Sequence, residues 1–242
     1  MSNYSDNYNN IIPPMGSPLN KIDINYLSAD LRFEDDKIYF IDLSGNEHQV
    51  MMRWETPVMQ HHVDVLPVEG GDILEIGFGM GISADMIMSR NPASYTVVEI
   101  HPQVIERAKE WAKDKPNVTI IEGNWLDVLG EIGKKRYDGI LFDTYGDLYV
   151  PVFVGVLVHR FIKPNGVFTY WKPDNEDAFR IGRNFINPNI QEIEIEIPAE
   201  CSYMGIPISE NNTRVMQKYA VPYVKYENGF PVPFIPFSDE YL

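Results

Sequence analysis

The sequence predicts an α/β fold, a mainly parallel sheet with helices on both faces, preceded by an N-terminal arm and a β-hairpin. Three observations predict it. From residue 72 onward, short apolar runs alternate with amphipathic segments of helical period. One run, residues 73–76, passes directly into the turn Gly77-Phe78-Gly79-Met80-Gly81 before a helix-like segment. An acid, Glu99, ends the following run, twenty positions after Gly79. Strands that alternate with helices imply right-handed crossovers and a sheet covered on both sides.

Taken in order, residues 1–20 are rich in Asn, Ser, Tyr and Pro and read as an arm that can order as a lid. Runs at 37–42 and 48–52 alternate in polarity around Ser44-Gly45-Asn46, which predicts the hairpin. Thr56-Pro57 reads as a helix start with Thr56 as N-cap, and Val58, Met59, His62, Val65 and Leu66 face the core. Strands follow at 72–78, 94–100, 117–123, 137–144 and 167–171. Helices are expected at 82–90, 102–113, 125–133, 150–162 and 174–186. Alternation at 191–197 and 214–226 predicts a strand pair closing the sheet edge.

Composition narrows the function. The 242 residues include 35 Asp+Glu against 20 Lys+Arg, a formal charge of −15, and 44% are hydrophobic. That suits a globular domain and argues against a phosphate-backbone partner, which needs a basic face. No apolar run approaches the roughly 18 residues that span a bilayer, and no basic-then-apolar start reads as a secretory signal. One cysteine, Cys201, allows neither an internal disulfide nor a thiolate zinc site, and is compatible with a reducing cytoplasm. His61 and His62 are adjacent, point in different directions on a helix and lack companion ligands, so no metal is expected.

The glycine turn followed by Glu99 predicts a nucleoside-containing cofactor: the glycines admit close backbone approach, and the acid suits ribose hydroxyls. A dinucleotide prefers a small residue where Ile82 stands. Glu75, two residues before Gly77, better suits a cationic cofactor, S-adenosylmethionine. Gly123-Asn124-Trp125 follows the third strand, where an adenine edge would lie. Asp143 stands at the carboxyl end of the fourth strand, the edge where open parallel sheets bind ligands. Glu55 lies beside Trp54, before the first long helix.

Residues 51–59 (MMRWETPVM), 73–82 (ILEIGFGMGI) and 137–145 (YDGILFDTY) resemble the guanidinoacetate N-methyltransferase family, as do Val98-Glu99 and residues 161–170. The similarity spans roughly residues 47–171. It implies the class I methyltransferase (Rossmann-like) fold, a seven-stranded sheet with its last strand antiparallel, and methyl transfer from S-adenosyl-L-methionine to a guanidine nitrogen. By resemblance, Glu55 and Asp143 bind the guanidinium, and Met51 and Met59 lie near the methyl donor; Trp54 and Tyr145 either wall the substrate site or simply pack. Gly77, Phe78, Gly79, Met80, Gly81 and Ile82 hold the cofactor's methionine part. Glu99, with Ile100 and His101, serves its ribose, and Gly123 and Asn124 its adenine; Asp143 also reaches the cofactor.

The expected organisation is therefore an arm and hairpin at 1–50, a methyltransferase domain at 51–228 and a tail at 229–242. The chain departs from the family pattern at Tyr170-Trp171-Lys172-Pro173-Asp174, so guanidinoacetate and arginine both remain candidate substrates. The expected partner is a small guanidino-containing molecule, with no nucleic acid and no membrane, and a homodimer is left open.

Two carboxylates suit this chemistry because a guanidinium is delocalised and has a pKa near 13. Asp143 is the expected proton acceptor and Glu55 the clamp, although the roles can be exchanged. The rivals are a polyamine-type aminopropyl transferase, a nicotinamide oxidoreductase and a catalytically silent binding module.

Overall fold

In the computed structural model the described residues are 24–146, 153, 157–171, 189–197, 215–227 and 230–232. The expected arm, the helix at 174–186, Cys201 and most of the tail lie outside them. The chain opens with the short helix α1 (Ile24–Ser28) and an antiparallel sheet of β1 (Arg32–Phe33), β2 (Lys37–Ile41) and β3 (Glu47–Met52). The expected hairpin is β2–β3. Asp42 fixes its turn by accepting the Ser44 and Asn46 amides at 2.8 and 2.9 Å, and Gly45 supplies φ +86°. The structure adds β1 as a third strand.

A 3-10 turn at Arg53–Glu55 leads into α2 (Thr56–Val65). Thr56 is the first helical residue rather than the N-cap. Its hydroxyl donates back to the Arg53 carbonyl at 2.5 Å, because the 3-10 turn already begins the helical path. Val63 is fully buried where Val65 was expected to be, a shift within the helical period.

The main sheet is built from β4 (Asp72–Ile76), β5 (Ser94–Glu99), β6 (Val118–Glu122), β7 (Tyr137–Phe142), β8 (Ile162–Tyr170), β9 (Asn189–Ile197), β10 (Val215–Glu227) and β11 (Phe230–Val232). Its order is β11-β10-β8-β7-β4-β5-β6, seven strands along one path, with β9 paired to β10. The pairs from β6 to β8 are all parallel, and β10 runs antiparallel to both β8 and β9. This is the expected class I methyltransferase sheet with a reversed last strand.

The crossovers carry α3 (Ile82–Met88), α4 (Pro102–Ala112), α5 (Leu129–Ile132) and α6 (Val158–Phe161). The α5 helix is shorter than its pattern because Asn124 accepts the Leu126 amide at 3.0 Å and holds 124–128 as turns. Strand β8 starts earlier than expected, at Ile162, and Gly166 lets it pass the Asp138 carbonyl, where a β-carbon would stand at 2.8 Å.

Alternate residues of each strand feed opposite core layers. Leu74, Ile76, Phe142 and Phe168 pack with Trp125 and Phe153 on one face. Ile73, Val97 and Leu141 pack on the other, together with Ile38, Phe40 and Val50 of the hairpin. A third cluster joins Met51, Val58, Met59 and Ile82 to Tyr219 and Val221 of β10. The hairpin is therefore a wall of the main body, and it leaves the carboxyl ends of β4, β5, β6 and β7 open to a single cavity. Among the described residues no helix is long and apolar enough to cross a membrane.

Candidate active site

The cavity holds about 810 Å³ of non-atom space, the open solvent at its mouth included. It lies where β5 and β7 diverge from β4, the point at which parallel sheets open for ligands. The turn after β4 forms its floor. Gly77 has φ +97°, and a β-carbon there would stand 1.7 Å from the Asp143 carbonyl oxygen. Gly79 has φ +52°, and a β-carbon there would meet the Met51 sulfur at 2.3 Å. Both conformations favour glycine, and both positions lack room for anything larger.

Glu99 is held at the end of β5 by backbone amides. Its Oε2 accepts the Phe78 amide at 2.9 Å, while Oε1 accepts the Ile100 and His101 amides at 2.7 and 2.8 Å. One carboxylate thus ties the glycine turn to the start of α4. Met51 makes a second tie: its sulfur accepts the Met80 amide at 3.0 Å, linking β3 to the same turn.

Glu55 and Asp143 both line this space. Glu55 is 3% exposed, and its Oε1 accepts the Met52 amide at 2.7 Å, which leaves Oε2 for a ligand. Burial, and then the charge of Asp143, push its pKa well above the ordinary carboxylate value. Asp143 is fixed through its backbone, whose amide donates to the Ile76 carbonyl at 2.9 Å. Burial raises its carboxyl to about 7. Glu75 is raised to about 8, chiefly by burial, although Ser83 and Tyr95 both donate hydroxyl hydrogen bonds to it and favour its charged form. Four acids and no basic side chain line the cavity among the described residues, so a cation entering it relieves their mutual repulsion.

The structure brings Met51, Glu55, Glu75, Gly77, Phe78 and Gly79 to the lining, together with Glu99, Ile100, Gly123, Asn124, Asp143 and Tyr145. It does not bring six other expected residues there. Met59 and Ile82 are buried in the cluster beneath, and Trp54 and Met80 pack against it. Gly81 opens α3 in a left-handed conformation against the Phe78 ring. His101 opens α4, where its Nδ1 accepts the Gln103 amide at 3.2 Å.

Sequence reasoning missed Tyr26, Ser83 and Thr144 on the wall. Thr144 sits inside the quoted DTY motif, and Ser83 follows the glycine turn, so both had a nearby signal. Tyr26 had none. Trp125 both lines the cavity and is 3% exposed in the core, edge-on to Phe142 and Phe153.

A family model described as guanidinoacetate N-methyltransferase matches residues 25–179. Protein arginine N-methyltransferase 2 of Candida glabrata is 36% identical over 156 residues, covering 60% of this chain and 37% of that one. The protein of the same name from Yarrowia lipolytica is 30% identical over 205 residues, 78% of this chain and 42% of its own. The chain thus spans well under half the length of these curated relatives. Among solved structures, the N-methyltransferase NodS from Bradyrhizobium japonicum, in complex with S-adenosyl-L-homocysteine, shares the fold at a TM-score of 0.50 and 12% identity. It covers 72% of this chain and 87% of that one.

The relatives overturn one expectation. A small guanidino-containing molecule as the expected partner conflicts with relatives named protein arginine N-methyltransferase 2. The physical reason is that the small substrate was expected from two carboxylates, and a carboxylate pair of that kind would address only a flat cationic head group. Nothing in the quoted motifs reports what hangs behind it.

Proposed function

The chain belongs to the guanidinoacetate N-methyltransferase family, and from that premise we propose that it methylates a guanidino nitrogen of an arginine side chain in a protein. The cofactor is S-adenosylmethionine, which when bound supplies an electrophilic methyl on a positively charged sulfur. The residues present fit it: the glycine turn admits close approach, Glu99 stands at the ribose side, and the acidic lining suits a sulfonium. The observation that carries the reading is the pairing of Glu55 and Asp143 in one cavity beside that turn.

In this reading Glu55 Oε2 and the Asp143 carboxylate accept guanidinium N–H bonds and fix its plane. Asp143, whose backbone packs against the glycine turn, is assigned the acceptor's role. It accepts the proton that the nitrogen sheds as the N–CH3 bond forms and the S–CH3 bond breaks. A carboxyl poised near 7 suits that task better than one near 4. Holding both partners in near-attack geometry contributes much of the rate. Tyr145 walls the substrate side, and residues 51–146 carry the catalytic parts.

The test is a tritiated-methyl assay with arginine-rich proteins and, in parallel, free arginine, agmatine and guanidinoacetate. The expected product is methylated arginine in the acid hydrolysate of the labelled protein. Label confined to the free compounds, or none at all, overturns the reading.

A further inference from the structure

The residue on the cavity wall that no motif announces is Tyr26. It comes from α1, is 5% exposed, and lines the same space as Glu99, Ile100, Gly123 and Asn124. Its ring lies 4.9 Å from the ring of His101, two residues beyond Glu99, and 4.9 Å from that of Tyr145, two residues beyond Asp143. It therefore stands where the Glu99 side of the cavity meets the Asp143 side. The segment that delivers it is strapped to α4. The Leu31 amide donates to Gln103 Oε1 at 2.7 Å, Gln103 Nε2 donates to Asp30 Oδ1 at 3.0 Å, and the Arg107 guanidinium sits 4.4 Å from the centre of the Phe33 ring. Leu31 is itself buried, 4% exposed.

We infer that Tyr26 is a cofactor-binding residue whose ring roofs the nucleoside half of the cavity, and that residues 26–33 are a strap that Gln103 holds in place over it. The aromatic face supplies what the rest of that side lacks. Glu99 and the glycine turn offer polar contacts at the edge of the nucleoside, while a flat ring excludes water from above it. The strap is held at its far end by the two-residue β1–β2 ladder and on α4 by side-chain bonds alone, so its grip near Tyr26 depends on a few named contacts. A bound nucleoside under the ring adds to that grip and tightens the whole segment.

This inference rests on reading the cavity as an S-adenosyl cofactor site, and the experiment separates the two. Isothermal titration with S-adenosylhomocysteine, without any methyl acceptor, is run on the full chain and on Y26A, Y26F and Q103A. Tyr26→Ala is expected to weaken binding at least tenfold. Tyr26→Phe, which keeps the ring, should stay within threefold of wild type, and Gln103→Ala, outside the cavity, should weaken binding three- to tenfold. A folded Tyr26→Ala chain that binds within twofold of wild type overturns the roof.

Hydrogen exchange of the unmutated chain gives a second, independent reading, which stands even where Tyr26→Ala does not fold. The amides of 26–33 should exchange more slowly with S-adenosylhomocysteine than without it, and unchanged exchange there overturns the strap. Failure of the unmutated chain to bind S-adenosylhomocysteine overturns the cofactor reading itself, and the roof with it.

Discussion

Gly77 and Asp143 touch backbone to backbone: a β-carbon on Gly77 would stand 1.7 Å from the Asp143 carbonyl oxygen. The glycine turn and the backbone that carries Asp143 are thus one packed unit, and a disturbance of one moves the other.

Gly77→Ala should therefore abolish methyl transfer and S-adenosylhomocysteine binding together. It combines a positive φ with a backbone overlap that only a main-chain shift can relieve, so urea unfolding should show a loss on the order of 3 kcal/mol. Gly130 gives the contrast: it lies in α5 with open space at its β-carbon. Gly130→Ala should be neutral or stabilising by up to about 1 kcal/mol.

Asp143→Asn and Glu55→Gln should each lower methyl transfer by at least a hundredfold, a typical loss for removing a positioned acid–base group. Binding of S-adenosylhomocysteine should stay within a few fold. The contrast between the two readouts, measured by tritium transfer and titration calorimetry, checks that the pair serves the acceptor rather than the donor.

Met51→Leu conserves bulk but removes the sulfur that accepts the Met80 amide. Stability should fall by less than about 1.5 kcal/mol, as for volume-conserving swaps. Cofactor affinity should fall three- to tenfold, because the turn loses its tie to β3. Equal loss in both readouts, seen in unfolding and calorimetry, would make the bond merely a packing contact.

Stability of the ligand-free chain should fall between pH 6.5 and 8.5. Burial raises Asp143 to about 7 from 3.8 and Glu75 to about 8 from 4.5. The folded chain therefore keeps protons that the unfolded chain has already released, and that advantage disappears as pH rises through the folded values. The loss is on the order of 2 kcal/mol. His62 works in the opposite sense but at lower pH. Burial lowers it to about 3, so its effect is a loss of stability as pH falls below 6.5, outside this window. Urea unfolding at several pH values measures the slope, and Asp143→Asn should make it shallower.

The sheet was legible because its signals are local. Apolar runs, helical periods and the glycine spacing each sit within a few residues, and β4, β5 and β7 appear within two residues of their expected ends. Asp143 and Glu99 were legible for the same reason, as each ends a strand. Met59 was read both as a core-facing residue of its helix and, by resemblance, as lying near the methyl donor; the first holds, because α2 turns it into the core, where it is fully buried. Tyr26 was illegible because nothing near it in the chain marks a cavity. Its position arises from contacts with Tyr145 and His101, far away in sequence. The size of the substrate was illegible for a chemical reason: in the proposed reading both acids address only the guanidinium, which is common to a metabolite and a protein side chain.

The reversed strand β10 sits between β8 and β9 and sends Tyr219 and Val221 beneath Met51 and Met59. A nascent polypeptide emerging from the ribosome accordingly lacks the layer beneath Met51 and Met59 until β10 has been made. Any truncated product ending before residue 215 would leave β8 with a raw edge and the methionine layer unsupported, a species for chaperones and proteases rather than a slow enzyme.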